Sequence, residues 1–295
     1  MIRFLEREKV NTDAWDALIR RSSNGLVYAL SGFLDNLSPG WCALVSDNFD
    51  AVMPLTQRKK YGISYLYQPP FLQQLGIFGI TNAETNALFI STAKKHYQFA
   101  EINLNTTNPC PGTIARQNFV LSLDRPYDEI AAGFSTAHSK NLKRAGNAGL
   151  RYVHSQAIES NVNLNYSLIG SSISTVKRFH YDAIIALAGT VSDHVMSREV
   201  WKDEDLQASC VCFVDHRRIY FILSTVTETG KHHQANHFLI DQLIREYSGQ
   251  QRILDLEGSD IPGVAEFYKG FGAINEPYYF LKWNNLPWPL KLLKK

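Results

Sequence analysis

Two acidic side chains, Asp255 and Glu257, stand two residues apart in the run Leu254-Asp255-Leu256-Glu257-Gly258. On an extended strand that spacing puts both on one side. Burial and proximity can then lift one carboxyl pKa toward neutrality, as a general base requires. Gly258 lets the backbone approach a ligand. Either acid could instead cap a following helix, although Ser259 and Asp260 suit that role better. Upstream, Gly230-Lys231-His232-His233-Gln234-Ala235-Asn236 stands at the start of a predicted helix. Free N–H groups and the helix dipole attract a phosphate at such an end, and Lys231, His232 and His233 add charge and donors. A plain solvated helix start has the same composition. His233 and His237 have the i, i+4 spacing of a zinc pair, but no third ligand stands nearby, so no metal is expected. Lys140, Lys143 and Arg144 place cations one helical turn apart, where they could grip a phosphate or simply form a solvated face. Gln68, Phe71, Gln73 and Gln74 share a proline-rich aromatic loop whose amides could read a polar substrate.

The elements that must position these groups follow from periodicity and punctuation. Helices are expected over 12–21 and 31–37, strands over 41–46, 51–57 and 63–67 with a turn at Tyr61-Gly62, then a helix over 82–97 and strands over 99–104 and 113–123. Asp124-Arg125-Pro126-Tyr127 marks a boundary, with Pro126 suited to a first helical turn. Beyond it, helices are expected over 127–145 and from about 174 past Leu187. Strands are expected over 206–214 and 218–225, then a helix over 232–247 and a strand over 252–256. A short helix over 262–271 and a last strand over 278–283 complete the chain. The helix–strand pairs 82–104 and 232–257 echo each other, with Glu101 falling on Asp255 and Asn82 on Asn236. Internal duplication of one α/β unit is the simplest account. The predicted domains are 1–123 and 124–295, the second carrying the donor site.

The chain has 295 residues, of which 45% are hydrophobic and 20% charged, with a formal net charge of +2. That length suggests about two domains, and the composition is that of a globular protein. The charge gives no strong field for nucleic acid. Cys42, Cys110, Cys210 and Cys212 lack metal spacing and read as reduced thiols, with Cys210 and Cys212 on one strand face. The N-terminal residues lack the apolar core of a signal peptide, and no apolar run approaches the ~18 residues of a membrane span. A cytoplasmic protein is expected. The tail Trp283–Lys295 combines tryptophans, prolines and lysines; it reads as a strand with a basic tail, or as a membrane-surface contact.

The run Leu254-Asp255-Leu256-Glu257-Gly258-Ser259, followed by Ile261-Pro262-Gly263-Val264-Ala265, Phe267-Tyr268 and Phe271-Gly272-Ala273, resembles the C-terminal pattern of Fem-like proteins of the GNAT superfamily. Ser139–Ala145 through Gly149 resembles the basic helix that opens their second domain. Tyr67-Gln68-Pro69-Pro70-Phe71 with Gln73-Gln74-Leu75-Gly76 resembles a loop of bacterial members. The resemblance implies an α/β protein with mixed sheets, built from two tandem GNAT-like domains. It implies an acyltransferase that moves an acyl group, with acyl-CoA (acetyl-CoA) as donor, directly to an amine. Tyr268 then matches the tyrosine that protonates the leaving thiolate in simple GNAT enzymes; a core aromatic is the alternative. No Ser-His-Asp or Cys-His constellation suggests a covalent intermediate. The expected acceptor is a small molecule or a cell-wall precursor, and tRNA is the donor in the rival, peptide-bond-forming reading. A non-catalytic binding module is a third reading, and a homodimer an open oligomeric alternative. Two departures stand out: no charged heptad insertion is present, and 230–236 carries one glycine and one alanine of the Q/R-x-x-G-x-G/A pyrophosphate loop.

Overall fold

A computed structural model of the chain describes residues 1–60, 62–258, 262–288 and 291. Tyr61 of the expected turn, the cap candidates Ser259 and Asp260, Ile261, and Pro289, Leu290 and residues 292–295 of the expected basic tail lie outside the described residues. The chain forms two compact units, Met1–Arg116 with Pro277–Lys295, and Gln117–Glu276. The expected division at 123/124 is thus displaced, and the last strand returns to the first unit.

The first unit comprises β1 (Ile2–Glu6), α1 (Thr12–Arg21), α2 (Ser31–Leu37), β2 (Cys42–Ser46), β3 (Ala51–Leu55), β4 (Gln57–Lys60), β5 (Ile63–Tyr67), β6 (Phe78–Gly79), α3 (Ala83–His96), β7 (Phe99–Leu104) and β8 (Thr113–Arg116). Helix α1 forms because Asn11 caps it, accepting the Ala14 N–H, and because Trp15, Leu18 and Ile19 recur on one buried face. Asn82 caps α3 in the same way through the Thr85 N–H. The strands make a four-stranded sheet, β1-β2-β3-β6, and a five-stranded sheet, β4-β5-β7-β16-β8, where β16 is the C-terminal strand Tyr278–Asn284. Leu44, Met53, Phe89, Ala100, Leu104, Leu281 and Trp283 share one core.

The second unit comprises β9 (Phe119–Ser122), α4 (Tyr127–Ala131), α5 (Thr136–Gly146), β10 (Arg151–Ser155), α6 (Ile158–Leu168), α7 (Arg178–Thr190), β11 (Val195–Lys202), β12 (Asp205–Val214), β13 (Arg218–Val226), α8 (Glu228–His232), α9 (Ala235–Tyr247), β14 (Ile253–Asp255), α10 (Pro262–Lys269) and β15 (Ile274–Asn275). Its strands form one seven-stranded mixed sheet, β10-β11-β12-β13-β14-β9-β15. Helix α9 buries Leu239, Ile240, Leu243 and Ile244 against a core containing Cys210, Cys212, Ile219, Phe221 and Phe271. Cys210 and Cys212 are free and buried on one face of β12.

Several expectations shift. The single strand 113–123 is two strands, β8 and β9, in different sheets and different units. The helix over 127–145 breaks at Gly133-Phe134-Ser135, because Ser135 starts a new helix by accepting the His138 N–H. Strands β10 and β11 and helix α6 are additional to the sequence reading.

The two units repeat one pattern. A parallel pair, β5–β7, sets Tyr67 opposite Glu101, and the parallel pair β13–β14 sets Tyr220 opposite Asp255. The correspondence of Glu101 with Asp255 thus recurs in the sheet register.

Because β16 lies between β7 and β8, Leu281→Ala should cost about 2–5 kcal/mol through the cavity it leaves. Hydrogen exchange should accelerate in β7 and remain unchanged in β12. Acceleration in β12 instead would contradict this assignment of the C-terminal strand.

Candidate active site

The middle of the second unit's sheet holds two parallel strands that part. β13 and β14 pair only from Arg218–Ile253 to Tyr220–Asp255. β13 runs on to Val226, whereas the chain after Asp255 follows β9: the Leu256 N–H donates to Phe119 O (2.9 Å) and the Phe119 N–H to Glu257 O (3.2 Å). Among the described residues, no strand pairs with β13 beyond Tyr220 on that side.

The segment 230–236 follows β13 and is two helical pieces, not one helix starting at His232. Thr227 caps α8, its Oγ1 accepting the Gly230 N–H at 3.0 Å. A Cβ on Gly230 would collide with the Gln207 carbonyl, so this glycine is required by the close approach of α8 to β12. The Lys231, His233 and Gln234 N–H groups bond to Thr227 O, Thr229 O and Lys231 O. Gln234 then adopts a left-handed conformation (φ 58°), and α9 begins at Ala235 with no side chain capping it. Among the described residues, no acceptor takes the backbone N–H of Ala235, Asn236 or His237. The anion-attracting helix end therefore lies three residues beyond its predicted place.

Side chains around this end have defined tasks. Lys231 Nζ meets Glu228 at 2.5 Å, and His232 is exposed. His233 Nε2 accepts from Lys202 Nζ at 3.1 Å, which leaves Nδ1–H to donate to Gln207 Oε1 at 2.9 Å. Desolvation first, and then the Lys202 charge, hold the His233 imidazole below its ordinary pKa. Asn236 Oδ1 accepts from Ser224 Oγ at 3.1 Å.

Glu257 is half-buried and left-handed, with φ 64°. Its N–H donates to Asp255 Oδ1 at 3.0 Å. Asp255 is fully buried, and its Oδ2 accepts from Arg218 Nη1 at 2.6 Å and Asn118 Nδ2 at 3.3 Å. Burial pushes the Asp255 carboxyl up, and Arg218 pulls against that shift. Arg218 also donates to Glu276 (2.7 and 3.2 Å), and its guanidinium pKa rises against the cost of its own burial. Tyr268 is half-buried on α10; burial and the nearby Glu257 and Asp255 charges raise its phenol, so it is protonated at neutral pH. Among the described residues, its hydroxyl has no hydrogen-bond partner.

Two histidines join α5, α9 and α10. His138 Nε2 donates to Phe267 O at 2.9 Å and Nδ1 accepts from Ser135 Oγ at 3.0 Å. The His237 ring meets His138 at 4.7 Å and Phe267 at 4.9 Å, and its Nε2 accepts from Asn141 at 3.2 Å. A Cβ on Gly270 would collide with the His138 ring. The first turn of α9 is thus tied to the helix bearing Tyr268. Burial lowers both imidazoles, His237 to about 4. Lys140, Lys143 and Arg144 on α5 are exposed and form no ion pair among the described residues. Between Glu129 and Glu159 the chain has no acidic residue.

The first unit's loop is internally committed. Gln68 donates to Leu72 O and accepts the Asn103 N–H at 2.8 Å. Gln74 is buried and donates to Gln73 Oε1 at 3.0 Å, while Phe71 is left-handed (φ 65°). Sequence reasoning missed Arg218, Asn118, Glu276 and His138. Only the tertiary pairing reveals them, since Asn118 and Asp255 are 137 residues apart and His138 and Phe267 are 129 apart.

No family model matches the chain, and no curated protein matches it. Solved structures do. FemX superposes with a TM-score of 0.68 over 99% of both chains at 11% identity. The chain has the Fem-like double-GNAT fold. The C-terminal DUF2156 domain of a putative lysylphosphatidylglycerol synthetase from Agrobacterium fabrum superposes with a TM-score of 0.59 at 12% identity, covering 96% of this chain and 94% of that one. A tandem GNAT protein from the clavulanic acid biosynthesis pathway, in a structure without AcCoA, gives 0.57 at 12% identity over 97% and 99%. In this chain no described helix is long and apolar enough to cross a membrane, and no group of three His, Cys, Asp or Glu among the described residues could hold a metal.

Above the ordinary histidine pKa of about 6.5, His237 is neutral whether folded or unfolded, so it costs nothing. Below it, the unfolded chain binds a proton that the folded chain refuses down to about 4. Stability should fall by about 3 kcal/mol across that window. Urea unfolding at pH 7 and 4.5 should show this loss, and His237→Gln should remove most of it. An unchanged slope in the variant would assign the loss elsewhere.

Proposed function

We propose that this protein is an N-acyltransferase that moves an acyl group from acyl-CoA directly to an amine. The observation that carries the reading is the junction of uncapped α9 amides with the Glu257 turn and Tyr268, through the His237–Phe267 contact. Three N–H groups at a helix start, open among the described residues, fit a phosphate of the donor, and the Lys231 ammonium, paired with Glu228, lies in the preceding helix. The Gly230 turn contributes little, since its N–H is already taken by Thr227. The fold shared with the clavulanic acid pathway tandem GNAT protein, whose structure is one without AcCoA, supports such a donor.

The thioester supplies an electrophilic carbonyl and a thiolate leaving group. Glu257 takes the proton of the attacking amine as the new N–C bond forms. Outward N–H groups of β13 beyond Tyr220 meet the oxyanion. As the C–S bond breaks, Tyr268, protonated at neutral pH, gives its proton to the sulfur.

A second reading, transfer from aminoacyl-tRNA to a cell-wall precursor, draws on one observation: the exposed cations of α5 lie in a stretch without acidic residues. It predicts salt-sensitive tRNA binding that weakens when Lys140, Lys143 and Arg144 are neutralised.

Incubation with radiolabelled acetyl-CoA and a panel of primary amines should give labelled amide. Glu257→Gln should lower kcat by about 10²–10⁴-fold. Tyr268→Phe should lower kcat with KM for acetyl-CoA little changed. Full activity in both variants would favour a non-catalytic binding module.

A further inference from the structure

The two units contain equivalent strands that end differently. In the first, Glu101 lies opposite Tyr67 and the chain continues as strand, with Asn103 two residues on paired to Phe280 of β16. Glu101 is 41% exposed and meets Lys282 at 2.9 Å, an ordinary surface pair. In the second, Asp255 lies opposite Tyr220, the strand stops there, and two residues on Glu257 is left-handed. A β-carbon-bearing residue in that conformation costs about 1–2 kcal/mol, so something must hold it.

The holding groups surround Asp255. One carboxylate oxygen takes the Glu257 N–H, and the other takes Arg218 and Asn118. The Glu257 carbonyl takes the Phe119 N–H. Both peptide groups of the left-handed residue are therefore fixed. The clamp is itself anchored: Glu276 accepts from Arg218 and donates its backbone N–H to Asn118 O at 2.8 Å, and the Asn118 N–H donates to Asn275 Oδ1 at 3.1 Å. Asp255 has no exposed surface, so no substrate touches it. A buried ion pair adds little net stability over a well-packed apolar core, which leaves its geometry as the feature to explain.

We propose that Asp255, Arg218, Asn118 and Glu276 form a positioning set that holds Glu257 in its left-handed turn, and that Asp255 carries no proton in the reaction. This rests on the reading of Glu257 as the base. It also distinguishes the two units: the equivalent Glu101 lacks burial, an arginine partner and a left-handed turn after it, so the first unit presents no such carboxylate.

Two measurements test it. Amide exchange at Glu257 reports the clamp without any substrate. Asp255→Ala removes the acceptor and should speed that exchange about tenfold. Asp255→Asn keeps an oxygen there and should restore much of the protection, with β12 amides unaffected in both. Unchanged exchange at Glu257 in Asp255→Ala overturns the clamp. Kinetics with acetyl-CoA and the amine panel report the role. Asp255→Asn and Arg218→Lys should lower kcat about ten- to hundredfold through misplacement, leave KM for acetyl-CoA nearly unchanged, and retain the acid limb of the pH profile. Glu257→Gln should abolish that limb. Loss of the limb in Asp255→Asn with retention in Glu257→Gln would make Asp255 the base and overturn the proposal. Wild-type protein that transfers nothing, yet shows accelerated exchange in Asp255→Ala, would support the clamp while removing the acyltransferase reading.

Discussion

The buried contact between Arg218 and Asp255 ties together the parts of the second unit on which the proposed chemistry rests. It joins β13 to β14 at the last residue pair before those strands diverge. Above that point no strand among the described residues pairs with that side of β13, and below it the sheet is continuous. The same carboxylate turns the chain left-handed at Glu257 and holds Asn118 beside β9. Two charges taken out of water are tolerated because each has several partners: three donors on Asp255, and two carboxylates on Arg218. Remove one partner, and a buried charge remains without compensation.

A second constraint acts on the helix that follows. α9 starts without a side-chain cap, which is unusual for a helix whose other contacts are so complete. Its far end is held by Arg198 and Tyr152, both bonded to Glu246. Its first turn is gripped by His138 and Asn141 through His237. The helix is thus fixed along its length while three amides at its start remain open among the described residues. In the first unit the equivalent α3 is capped by Asn82, which satisfies one of those amides. The helix end therefore differs between the two units.

Much of this was legible in the sequence. Period 3.6 located α1, α2, α3 and α9, and apolar runs located β5, β7, β12, β13 and β16 to within a residue or two. The expectation of a Fem-like double-GNAT fold followed from the resemblance of the 254–273, 139–149 and 67–76 segments. The rest was hidden for physical reasons. Residues 113–122 look like one strand, yet Asn118 starts a crossing from one sheet to another that only the pairing partners decide. The start of α9 was misplaced because Gln234 takes a left-handed φ that its side chain does not advertise. Helix α6 escaped notice because the sheet face it covers is polar: Asn161 bonds Ser197 and Glu199, and Asn165 bonds Thr225. Such a layer lacks the apolar alternation from which strands and helices are read.

The central claim is that the open amides of α9 hold an anionic donor next to Glu257. Titrating coenzyme A into isotope-labelled protein and following backbone amide shifts tests it most directly. The account predicts saturable shifts centred on Ala235, Asn236 and His237, with smaller ones at Glu257 and Tyr268. Saturable binding that moves amides elsewhere and leaves Ala235–His237 still, or no binding at millimolar coenzyme A, would contradict it.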